Sequence, residues 1–192
     1  MSRPIHLYVS SSPELYLERE VVGQVAAALP LTIGWRIDHT PLPGEPRPDI
    51  SGPVGQCDLY VLLLGQDFAA PMGAELREAL ALGRKLLAFR KRCSRSPSSQ
   101  DAVRRLRLEW RVFSEPDDLR MLFLQDLVNA VLDRAARIGL EIGELERLLE
   151  LSRGAEQRAQ AGTGEIRGRG DAGKSGVILG REVWETNPQD PL

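Results

Sequence analysis

The chain has 192 residues, a formal net charge of -2 and a pI near 5.8. It has room for one domain of ordinary size plus a tail, and no global charge that would draw it to nucleic acid or to an anionic membrane. Its two cysteines, Cys57 and Cys93, are too far apart for a zinc knuckle or a CxxC pair, so neither a metal nor a cofactor is expected. The N-terminal apolar run is too short for a signal peptide, and no stretch approaches the roughly 18 apolar residues of a spanning helix, which predicts a cytoplasmic protein away from the membrane.

Ile5 to Val9 (IHLYV) predicts a first strand that gives way to a Ser10-Ser11-Ser12 loop. Ser12 and Pro13 suit the start of a helix whose inward face is Leu15, Val22, Val25 and Ala26, ending at Pro30. Leu31 to Asp38 predicts a second strand. The stretch HTPLPGEPRPDISGP that follows is too rich in Pro and Gly for regular structure, apart from a short helix near Ile50.

Asp58 to Leu64 (DLYVLLL) is almost continuously apolar, the pattern of a central parallel strand buried on both faces. Gly73 to Leu82 then has helical spacing, Lys85 to Phe89 a fourth strand and Glu109 to Phe113 a fifth. Such alternation predicts an α/β fold of the doubly wound class, a mostly parallel five-stranded sheet with helices on both faces and ligands beyond the carboxyl ends of the strands.

After Pro116, Leu124, Leu127, Val128, Val131, Leu132 and Ala135 form one apolar helix face. Ile138, Ile142, Leu145 and Leu149 continue in steps of four and three, as an extension that either folds back onto the domain or meets a second copy. The predicted organisation is a domain over 1–135, a helical extension over 136–153 and a Gly-rich, flexible tail over 154–192.

The tail holds GRGDAGKS, residues 168–175, which fits the phosphate-binding pattern G-x-x-x-x-G-K-S. A working loop of that type needs a strand before it and an amphipathic helix after it, and neither can be drawn through AEQRAQAGTGEIR or GVILGREVWETNPQDPL. The match is therefore read as coincidence, as is the embedded Arg169-Gly170-Asp171 tripeptide. Residues 84–111 carry ten Lys or Arg against Asp101 and Glu109, but the two aromatics, Phe89 and Trp110, belong to expected strands and none lies in the basic loop and helix between them, so no nucleic-acid partner is expected.

Chemistry is best placed between Cys57 and Phe89, where a buried strand ends at Gly65, a loop carries Asp67, and a helix opens with Gly73-Ala74-Glu75. A first-turn Glu75 at that rim suits a catalytic carboxylate, and equally a residue that complements the helix dipole. His6 reads as a strand residue of the core or edge, while His39 opens the Pro-rich loop and could line the cleft.

From Ile5 to about Ala135 the sequence resembles the TIR-like superfamily, in particular a TIR-related domain family whose first strand runs into a Ser-Ser loop and a Glu-Arg pair, here YVSSSPELYLERE with Glu18-Arg19. That family has an acidic residue shortly after its serines, where Glu14 stands in this chain. The third strand and following helix are similar to nucleoside 2-deoxyribosyltransferases in the spacing Glu75, Ala79, Ala81, Gly83, with Arg84-Lys85 where those enzymes have Lys-Pro.

The resemblance implies a signalling or defence module that cleaves the N-glycosidic bond of NAD or a related nucleoside, with Glu75 catalytic. It equally implies a non-enzymatic module that self-associates or binds a protein partner. Ser10, Ser11, Ser12, His39, Gly65, Asp67 and Gly73 are the residues expected to contact a substrate.

Overall fold

The computed structural model describes residues 3–41, 45 and 51–165. Five strands, β1 (Ile5–Ser11), β2 (Trp35–His39), β3 (Leu59–Leu64), β4 (Lys85–Lys91) and β5 (Arg111–Phe113), form one all-parallel sheet in the order β2-β1-β3-β4-β5. They alternate with helices α1 (Tyr16–Ala28), α2 (Ser51–Gln56), α3 (Ala70–Ala81), α4 (Pro97–Arg105) and α5 (Pro116–Leu132), and α6 (Ala135–Ile138) and α7 (Ile142–Glu165) extend the chain. This is a doubly wound α/β fold.

Strand alternation sorts the core into two layers. Leu7, Val9, Val61, Leu63 and Phe89 face α1 and α5, where they pack on Val22, Val25, Phe123 and Leu127. Tyr8, Tyr60 and Leu62 face the other way, onto Val54 of α2 and Met72, Leu76 and Ala79 of α3. Every residue of β3 is buried, as the DLYVLLL run requires of a strand covered on both sides. The connections from β1 and β3 leave in opposite directions, so a crevice opens between the carboxyl ends of these neighbours.

Several boundaries differ from those read in the sequence. β1 continues through Ser10 and Ser11, which pair with Leu62 and Leu63, because the central β3 keeps the ladder going whatever the side chains. Ser12 does not cap the next helix; its hydroxyl donates to Glu14 Oε1 at 2.6 Å, and a single 3-10 turn (Pro13–Leu15) precedes α1. β2 begins only at Trp35. α3 begins at Ala70, with Pro71 in its first turn and no side-chain cap at Ala69, so Glu75 lies in the second turn and the macrodipole account of it loses its footing.

The extension also differs. α5 ends at Leu132, and Ala135 opens the separate α6, which stops at Gly139 with φ of 77° in the left-handed region that glycine tolerates. That break changes the helical phase. α7 does fold back onto α5, but through Leu148, fully buried, with Leu151 and Ser152 beside it, while Ile142 and Leu149 remain 77% and 43% exposed. The helix runs past Arg153 to Glu165, and residues 168–175 lie outside the described residues. Among the described residues no helix is long and apolar enough to cross a membrane.

One buried carboxylate ties α7 to the domain. Glu144 accepts from the Thr32 amide at 2.6 Å, the Thr32 hydroxyl at 2.7 Å and the Glu141 amide at 2.9 Å. The Thr32 amide, then the Glu141 amide and Thr32 hydroxyl, hold its carboxyl below the usual carboxylate range. A folded-state pKa depressed in this way adds stability above the unfolded value of about 4.3, and that stability is lost as pH falls through the folded value. Glu144→Gln is expected to cost about 1–3 kcal/mol at neutral pH. Urea unfolding of both proteins across pH should show the gap narrowing on acidification; a gap independent of pH would show that the charge of Glu144 contributes nothing.

Candidate functional site

Glu75 reaches from the second turn of α3 to the carboxyl ends of β1 and β2, where it is only 1% exposed. Its Oε2 accepts from Ser10 Oγ at 2.6 Å and from Thr40 Oγ1 at 2.7 Å. Thr40 in turn accepts from the Ser11 amide at 3.2 Å, so the first residue past β2 is fixed to the end of β1 as well as to α3. Among the described residues, Glu75 shares hydrogen bonds with hydroxyl groups and with neither a carboxyl group nor a histidine.

Two tyrosines floor this site. Tyr8 and Tyr60, on adjacent strands and the same sheet face, stack with ring centroids 5.8 Å apart and planes 11° from parallel. Burial, reinforced by the charge of Glu75, pushes the Tyr8 phenol far above its ordinary pKa, and burial does the same to Tyr60. Both therefore stay protonated and neither serves as a base. The Tyr60 hydroxyl is buried beside Ser10.

The crevice between β1 and β3 is bridged rather than open. Glu14 Oε1, which holds the Ser12 hydroxyl, also receives the Asp67 amide at 3.4 Å. Gly65 permits that approach: a Cβ there would stand 2.9 Å from Glu14 Oε1 and 3.1 Å from the buried Leu15 side chain. Asp67 is exposed and turned toward α4, its Oδ1 accepting from the hydroxyls of Ser96 and Ser98 at 2.7 Å each. The Ser98 and Ser96 hydroxyls hold its carboxyl below the usual range.

The residues singled out in the sequence thus divide. Ser10 and Glu75 are brought together, and Gly65, Ser12 and Asp67 sit on the adjacent crevice in bridging and spacing roles. Ser11 and His39 point to the opposite face of the sheet, as alternation along each strand demands. The Ser11 hydroxyl is buried there without a partner, and His39 is exposed, its Nδ1 3.0 Å from the Thr40 carbonyl. Gly73 faces Phe68 in a groove between α3 and α4 rather than the site. Thr40 was missed: a lone threonine before a Pro-rich loop carries no signal, although its place one residue beyond β2, beside Ser10, would have revealed it had the register been known.

The Glu-Arg pair after the serines divides in the same way. Glu18 is buried and forms an ion pair with Lys91 at the end of β4, 2.7 Å away, which fixes α1 to the sheet. Arg19 lies over the ring of Tyr16 on the α1 side. His6 is a buried core residue, its Nε2 2.8 Å from Asp38 Oδ2. In the basic stretch, Arg84 binds the carbonyls of Gly55 and Cys57, and Arg105 and Arg111 pair with Asp101 and Asp126.

Comparison with protein-family models, with curated proteins and with solved structures finds no match.

If Thr40 is what sets Glu75, Thr40→Val, nearly equal in volume, should leave the Ser11 amide and the carboxylate each short of a partner and cost about 1–3 kcal/mol. Thr40→Ser should restore most of that loss. Thermal and urea unfolding of the pair decide it; equal losses in both variants would mean that the methyl group, not the hydroxyl, matters.

Proposed function

We propose that the chain is a TIR-like module that cleaves the N-glycosidic bond of NAD or a related nucleoside, with Glu75 as the carboxylate that meets the reacting sugar. The supporting observation is a carboxylate set at the carboxyl ends of adjacent parallel strands, where this fold class takes its ligands, and held among the described residues by the hydroxyls of Ser10 and Thr40. Ser10 and Thr40 keep Oε2 in place as donors, and hydroxyls of a bound ribose are chemically equivalent donors that can compete for the same oxygen.

The chemistry then needs one carboxylate. As the bond between C1′ and a pyridinium nitrogen breaks, its electron pair neutralises the ring, and positive charge moves onto the sugar. Glu75 stabilises that charge or bonds to C1′, and water completes the reaction at C1′ with loss of a proton. A neutral nucleoside base needs an acid to protonate it as it leaves.

Glu75→Gln keeps the volume and an acceptor for Ser10 and Thr40. It is expected to lower nicotinamide release from NAD by on the order of 10² or more, with a melting temperature close to that of the parent. The assay is run at several protein concentrations. Equal turnover by the folded variant would remove Glu75 from the reaction.

A second reading, a non-enzymatic module that associates with its own copies, is favoured by Ile142 and Leu149, exposed apolar residues seven apart on α7. Replacing both by Glu should turn an oligomer into a monomer in light scattering without lowering the melting temperature, because Leu148 carries the packing on α5. A parent that stays monomeric at high concentration would dismiss this reading.

A further inference from the structure

Beyond the Glu75 face, a cavity of about 410 Å³ lies on the opposite side of the sheet edge, between α1 and β2. One stripe of α1 forms its wall, with Tyr16, Arg19, Glu20 and Gly23 at helical spacing, and Val9, Ile37 and His39 on the outer strands form its floor. This size lies within the range of small-molecule sites, and the mix of an apolar floor with a few polar groups at the rim is their usual composition.

Arg19 is the group that needs explaining. Its Nε and Nη2 are buried and have no hydrogen-bond partner among the described residues, while its guanidinium lies 6.0 Å from the centre of the Tyr16 ring. Buried guanidinium N–H groups left unpaired are costly, and an arginine so placed normally finds a carboxylate, a carbonyl or a phosphate. Here the side chain that carries these N–H groups lines a cavity. Around them stand two rings, Tyr16 and His39, and the aliphatic groups of Val9 and Ile37, which suit a flat or apolar body next to an anionic head.

We propose that the α1–β2 cavity is a binding site for a small molecule with an anionic head, a phosphate ester or a carboxylate, on a flat body, and that Arg19 holds the head. The site does not depend on the activity ascribed to Glu75, since the two lie on opposite faces of the sheet. Its ligand is either a phosphate ester or a carboxylic acid, and both present a pair of oxygens that accept hydrogen bonds from a guanidinium fork.

The test uses the full chain with three probes of one body: phenyl phosphate, benzoate and phenol, titrated by calorimetry and by ligand-observed NMR. At least one of the two anions is expected to bind, with phenol at least tenfold weaker, and Arg19→Met should weaken the anion by tenfold or more. Preference between phenyl phosphate and benzoate names the head group. Glu75→Gln should bind the same anion as the parent does, which separates this site from the reading of Glu75. The ligand-free melting temperature adds a second measure, because removing an unpaired buried cation should leave Arg19→Met as stable as the parent or more so, whereas an arginine that holds the fold together would lower it. Failure of both anions to bind, equal binding by Arg19→Met, or a marked loss of stability in that variant would each overturn the proposal.

Discussion

Taking the Glu75 carboxylate out of water would cost roughly several kcal/mol unless donors replaced the lost hydration, and in this molecule the donors come from the ends of two different strands. Ser10 closes β1, Thr40 follows β2, and both reach the same oxygen of a residue on α3. For that oxygen to be served, α3 has to lie at a fixed depth on the sheet, and β1 and β2 have to keep the register in which Val9 opposes His39. The packing of Met72, Leu76 and Ala79 on Tyr8, Tyr60 and Leu62 supplies the first condition. The second comes from the parallel ladder, which binds the Thr40 amide to the Val9 carbonyl at 3.1 Å. One polar interaction therefore depends on helix packing, strand register and chain termination at once.

What could be read from the sequence follows from where the physical signal was dense. β3 announced itself because both faces of a central strand are buried, and a doubly wound class followed from the alternation of strands and helices around it. The end of β1 was hidden, since serines look like a loop, yet Ser10 and Ser11 are held in the ladder by β3. The start of α3 was hidden too. Ala69 offers no capping side chain, and the Pro71 that belongs in a first turn looks like a loop residue. The apolar spacing from Ile138 to Leu149 suggested one face, but Gly139 breaks the helix, and the packing passes to Leu148, one residue out of phase with that stripe.

The candidate site was legible in part for the same reason. Glu75 could be placed at the strand-end rim because the strand before it and the helix after it were both clear. Ser10, Ser11 and Ser12 could not be told apart, since nothing in three consecutive serines fixes which of them looks toward α3. In the fold they separate completely: Ser10 binds Glu75, Ser11 is buried toward α1 and Ser12 holds Glu14. Thr40 carried no local signal, and the Glu18-Arg19 pair stood out without revealing the cavity beside Arg19, because both roles arise from contacts between elements distant in the chain.

Alternation along β1 and β2 also joins the two faces. Ser10 and Thr40 serve Glu75 on one side of the sheet, while the neighbouring positions Ser11 and His39 face the α1 side, where His39 helps to wall the cavity that contains Arg19. The Ser11 amide donates to Thr40 Oγ1, and the His39 ring lies against the Thr40 carbonyl, so Thr40 is shared between the two faces. Proximity of this kind does not by itself couple them: an occupant of the cavity would shift Glu75 only if it bound more tightly to one arrangement of Thr40 than to another. The hydroxyl of Thr40 offers such an alternative, because Ser10 Oγ stands 3.4 Å away as a second partner. A turn of that one hydroxyl would exchange a charge-assisted hydrogen bond to Glu75 for a neutral one to Ser10, and it would leave the carboxylate held by Ser10 without moving a strand.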